Sequence, residues 1–125
     1  MSVYDQSFEP PAPVADATVV HPVSGRSSRR NRGKLDSGAD ITVIPQRLIA
    51  ELRLTPKGHC WTKAYDGTLS RRPVYYARLK LDEFDLASVR CIAAERDDIL
   101  VGRNVLIRFV TIMAGPNLAY EMRPA

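Results

Sequence analysis

Cysteine is scarce in this sequence. Cys60 and Cys91 are the only two in 125 residues, too few for a disulfide framework, and a reducing compartment is the expected setting. Histidine is as rare: neither His21 nor His59 has a visible partner for a nucleophilic triad, and His59-Cys60 with a remote Cys91 lacks the spacing of a zinc site. The seven glycines are scattered, so no glycine-rich phosphate loop is present. No stretch approaches the roughly 20 apolar residues of a membrane span, and "MSVYDQSFEPPAPVADA" lacks the basic flank and apolar core of a secretory signal. These absences predict a soluble, cytoplasmic protein with no membrane partner, no metal and no cofactor. By elimination, they leave carboxylate chemistry as the sharpest option.

What is present suits one domain. At 125 residues and 45% hydrophobic, the chain can bury a modest core. A formal charge of +4 gives only weak attraction to polyanions. Residues 1 to 15, with Pro10, Pro11 and Pro13, read as a disordered leader, and residues 16–125 as the domain. "TVVHPV" (18–23) reads as a strand turned by Ser24-Gly25. "RSSRRNRGK" (26–34) carries five cations and no acid, and reads as a solvated loop. "ITVI" is a strand candidate, and Pro45 suits the first turn of a helix that buries Leu48, Ile49 and Leu52.

Further along, "AYDGTLS" has the strongest hairpin signal in the chain. Its return arm alternates, with Tyr75, Ala77, Leu79 and Leu81 on one side and Tyr76, Arg78 and Lys80 on the other. An extended pattern resumes through Ala87, Val89, Cys91 and Ala93. "DDILVGRNVLIRF" then holds a buried apolar triplet and a short helical turn, and "VTIMAGPNLAYEM" two strands about a Gly115-Pro116 turn. About seven short strands and one clear helix make a predominantly β domain, rolled into a small barrel.

Within that pattern, "KLDSGADITVIP" puts an aspartate on a tight glycine turn before a β-branched run, and "ILVGRNVL" follows well downstream. Together the two resemble the retropepsin family, the single-domain aspartic proteases of retroviral type and their cellular and bacterial relatives. The matching residues are Asp36-Ser37-Gly38-Ala39 and Leu100-Val101-Gly102-Arg103-Asn104, at a separation similar to the family's. The resemblance spans roughly residues 18 to 122. It implies an all-β, small closed acid-protease barrel with one or two short helices. Because only one Asp-Ser-Gly occurs, it also implies a homodimer with one catalytic loop from each subunit.

The resemblance further implies an aspartic endopeptidase acting on peptide or protein substrates, with Asp36 catalytic. Ser37, Gly38 and Ala39 would support the loop, Gly38 and Asp40 would bind substrate main chain, and Asp40 would pair with Arg103. Tyr65, Asp66, Gly67 and Thr68 fall where the flap should be, the hairpin that folds over bound peptide. Two departures stand out: the strand feeding the catalytic loop, "RRNRGKL", is polar, and the flap has a single glycine. Two other readings remain open at this level. One is a protease-fold dimer that binds peptides without turnover. The other is a nucleic-acid-binding protein built on residues 26–34, which is disfavoured because no aromatic residues interleave the cations.

Overall fold

A computed structural model describes residues 1–64 and 66–124. Its strands are β1 (Ser2–Val3), β2 (Val14–Val20), β3 (Asn31–Leu35), β4 (Thr42–Pro45), β5 (His59–Lys63), β6 (Leu69–Pro73), β7 (Tyr75–Leu81), β8 (Phe84–Ala94), β9 (Ile99–Val101), β10 (Phe109–Ala114) and β11 (Ala119–Pro124). Two short helices, α1 (Gln46–Leu52) and α2 (Arg103–Leu106), interrupt them. Six strands close a barrel in the order β2-β3-β9-β4-β8-β7, a three-stranded sheet β1-β11-β10 packs beside it, and β5-β6 form a separate hairpin. The expected all-β closed barrel with short helices is therefore what the chain adopts. Among the described residues, no helix is long and apolar enough to cross a membrane.

The barrel closes around alternating inward residues. β7 buries Tyr75, Ala77, Leu79 and Leu81 and exposes the residues between, as its sequence predicts. Ile99 and Val101 of β9 and Val105 of α2 are fully buried beside them. Pro45 ends β4 and sits one position before α1, whose Leu48, Ile49 and Leu52 are buried. Arg53 adopts a left-handed conformation (φ 56°) and closes the helix. Tyr120 joins the terminal sheet to the barrel: its hydroxyl lies 3.1 Å from the Val14 carbonyl and 3.2 Å from the Asp82 carboxylate.

Several sequence expectations are corrected. The basic segment is not all loop, because residues 31–35 form β3, paired antiparallel with β2 and parallel with β9. Its inward positions are Gly33 and Leu35, both buried. A Cβ at Gly33 would lie 3.0 Å from the Ala17 Cβ and 3.3 Å from Val101, so the barrel wall closes here by omitting a side chain. The outward cations find partners in Asp5, Ser7 and Phe8, within the segment expected as a leader. Arg32 donates to Asp98 (3.0 Å) and Ser7 (2.9 Å) and lies 3.7 Å from Asp5. The Phe8 ring sits 5.2 Å from the Arg32 guanidinium and 4.9 Å from the Lys34 ammonium.

The leader is tied down by its own backbone as well. Asp5 and Ala12 exchange hydrogen bonds of 2.8 and 3.2 Å, Tyr4 donates to Leu118 (2.7 Å), and Leu35 donates to Pro13 (3.0 Å). β2 itself begins at Val14, across the boundary expected at residue 15, and ends at Val20 short of Val23. In β8 the inward phase slips. Val89 and Cys91 are buried as expected, but Leu86 takes the inward place expected for Ala87, because a bulge with Ser88 at φ 55° shifts the register.

Candidate active site

The Asp36 loop joins β3 to β4 and is held by β9 and α2. At its start, the Asp36 amide donates to the Val101 carbonyl (2.9 Å), continuing the β3–β9 pairing by one residue. The carboxylate turns back on the loop, where Oδ1 accepts the Gly38 amide at 2.8 Å, and the Asp36 carbonyl accepts the Ala39 amide at 3.2 Å. Asp36 is half-buried, whereas Ser37 and Gly38 are exposed.

Farther along, the loop is fastened to the Leu100-Val101-Gly102-Arg103 segment. The Arg103 amide donates to the Ala39 carbonyl at 2.8 Å, and the Arg103 guanidinium pairs with the Asp40 carboxylate. Asp40 and Arg103, expected as partners, are thus brought together. The pair is largely exposed, 83% for the Asp40 side chain, so its contribution to stability is small. Leu100 and Val101 lie in β9, with Val101 fully buried.

Beneath this surface pair lies a polar knot that sequence reasoning missed. Thr42 is fully buried; its amide and hydroxyl both donate to Asn104 Oδ1 at 2.9 Å, and its hydroxyl oxygen accepts the Gly102 amide at 3.2 Å. Asn104 Nδ2 in turn donates to the Arg90 carbonyl at 2.7 Å. The Thr42 amide, the Thr42 hydroxyl and the Gly102 amide each meet an acceptor, as buried polar groups require. A threonine inside a β-branched run gives no sequence sign of this role, since it reads only as strand propensity.

Over the loop stands the β5–β6 hairpin, in five-residue antiparallel register from His59↔Pro73 to Lys63↔Leu69. Asp66, Gly67 and Thr68, the residues expected at a flap, lie at its turn, with Gly67 at φ 86°. The Asp66 carboxyl is held below its ordinary value by hydrogen bonds from Thr68. Tyr65, expected at the same tip, lies outside the described residues.

Between hairpin and barrel runs a cleft of about 540 Å³. Gly38, Ala39 and Asp40 form one wall, Ile41, Val43 and Ile92 its apolar floor, and Cys60 to Lys63 its roof. A second cavity of about 400 Å³ shares Gly38, Ala39 and Lys63 with it and contains Asp36. Asp36 therefore borders a cavity that adjoins this cleft through Gly38, Ala39 and Lys63. Trp61, Arg90 and Ile92 were not singled out by sequence. The lone tryptophan beside the hairpin signal was the only available hint.

Chemically, this is one carboxylate on a hydrogen-bonded loop beside an open cleft. A model of a protein family described as aspartyl protease matches residues 23–105, well over half the chain, and spans both the Asp36 loop and Gly102. No curated protein matches the sequence.

Proposed function

We propose that this chain, which belongs to the aspartyl protease family, is a homodimeric, retropepsin-like endopeptidase whose two Asp36 carboxylates form one catalytic dyad. The observation that carries the reading is the fastening of a single Asp-Ser-Gly loop to the Gly102 segment beside an open cleft. One chain supplies one carboxylate, and the reaction needs two in different protonation states. A second copy supplies the other.

Two carboxylates within hydrogen-bonding distance cannot both ionise readily, so they share a proton and titrate as a pair. The ionised Asp36 takes a proton from a water held between the loops, and the water oxygen attacks the scissile carbonyl carbon. The protonated Asp36 of the other copy hydrogen-bonds the carbonyl oxygen and gives it its proton, making it a hydroxyl of the tetrahedral diol. Collapse breaks the C–N bond as the leaving nitrogen takes the proton held by the first Asp36 and a diol hydroxyl returns a proton to the second, giving a carboxylic acid and an amine. Gly38 and Asp40 hold the substrate main chain, Ser37 stiffens the loop, and the β5–β6 hairpin closes over the peptide and excludes water.

Cleavage of a diverse peptide mixture by wild type and by Asp36→Asn, followed by mass spectrometry from about pH 4 to 7, tests this. Asn keeps the side-chain shape and removes the carboxylate. Loss of all cleavage in the variant is the expected result. Equal cleavage by both proteins would overturn the reading.

A further inference from the structure

From the charge distribution of the cleft we infer that Arg90 makes a subsite for an acidic side chain, so that the favoured substrates are extended peptides carrying Glu or Asp beside apolar residues. The inference rests on the peptide-cleft reading above and adds the substrate class. Its basis is the placement of Arg90. In β8, Val89 and Cys91 fill the barrel at 1% and 0% exposure, so Arg90 and Ile92 project from its outer face. That face is the cleft floor: Val43 pairs with Ile92 in parallel register, and Ile41, Val43, Arg90 and Ile92 line the same cavity.

Among the described residues, no carboxylate pairs with the Arg90 guanidinium or with the roof residue Lys63. Asp40 is the one acid lining this cavity, and Arg103 already occupies it. The Arg90 backbone is fixed by the hydrogen bond from Asn104, which anchors the base of the side chain beside the loop that holds Asp36. An apolar floor with an uncompensated guanidinium at its edge matches a peptide that places an aliphatic residue on the floor and a carboxylate within reach of the Arg fork. A neutral or basic side chain at that position gains nothing from it. The net positive charge of the chain adds long-range attraction for acidic peptides.

The test is binding of paired fluorescent peptides, identical apolar sequences with Glu or Gln scanned along them, to Asp36→Asn protein, which keeps the cleft and stops turnover. The expected result is tighter binding of one Glu register by about five-fold, the upper range for an exposed ion pair, shrinking as salt rises. Adding Arg90→Met brings the Glu-to-Gln ratio to about one, and Arg90→Glu reverses it in favour of Lys at the same position. Equal binding of Glu and Gln peptides, no binding of either, or a preference that survives Arg90→Met would overturn the inference. Turnover of the same peptides by wild type separates the two readings. Selective binding without turnover counts against the peptidase alone, and turnover indifferent to Glu counts against the Arg90 subsite alone.

Discussion

Gly102 lies directly against the backbone of Ile41: a Cβ added there would sit 2.6 Å from the Ile41 carbonyl carbon and 2.7 Å from its oxygen. Backbone cannot yield as a flexible side chain does, so Gly102→Ala must displace either β9 or the loop end. Destabilisation of about 1–3 kcal/mol is expected, typical of overpacking, together with loss of most peptide cleavage. Urea denaturation and cleavage assays read the two effects. A variant with wild-type stability would show that this contact does not hold the loop.

Thr42→Val keeps the shape of the side chain and removes its hydroxyl. The Gly102 amide then loses its acceptor and Asn104 Oδ1 loses one of two donors. A cost of about 1–3 kcal/mol is expected, because buried polar groups are left unpaired. Arg103→Met, which removes only the exposed pair with Asp40, should cost less than about 1 kcal/mol. Equal effects from the two substitutions would place the loop's anchor at the surface rather than in the buried knot.

Residues 1–8 should behave as part of the domain. Phe8→Ala removes both cation–π contacts and is expected to lower stability by about 1–2 kcal/mol. Deleting residues 1–8 also removes buried Tyr4 and the Asp5 partner of Arg32, and should lower the melting temperature further. Melting curves identical to the full chain would mean that the segment does not support β3.

Alkaline pH should weaken the fold. Burial pushes the Cys91 thiol from an ordinary 9.0 up to about 12. Burial, followed by the nearby Asp82 charge, pushes Tyr120 from 10.0 up to about 12. Between those values the unfolded chain has released protons that the folded chain retains, so raising the pH favours unfolding. Stability should fall progressively from about pH 9 toward 12, and Tyr120→Phe should flatten the part above 10. Denaturation midpoints that stay level through this range would contradict the assignment. On the acid side, the Arg78 hydrogen bond holds Asp85 below 3.8, so its small contribution is present above that value and lost as pH falls.

How far the sequence could be read depended on where the information lay. The β7 alternation, the α1 stripe and the apolar triplet of β9 are local patterns, and each appears in the fold where the sequence places it. β3 was illegible because its inward residues are a glycine and one leucine, and because its cations are matched by Asp5, Ser7 and Phe8, far away in sequence. The β8 bulge at Ser88 carries no compositional mark, so the phase of Leu86 could not be read. Arg90 belongs to the cleft only because β4 and β8 pair in parallel. Such non-local pairings are what a linear reading cannot supply.

The proposed dyad needs a carboxylate from each of two copies of Asp36, and mixing subunits tests that requirement. A fixed amount of wild type, at a concentration where dimers are saturated, is equilibrated with an equal amount of Asp36→Asn, and peptide cleavage is followed. If each site needs a carboxylate from both copies, activity falls to about half, the statistical share left in wild-type pairs, and falls further with excess variant. Activity unchanged at every ratio, with subunit exchange verified by mass spectrometry, would contradict the shared dyad.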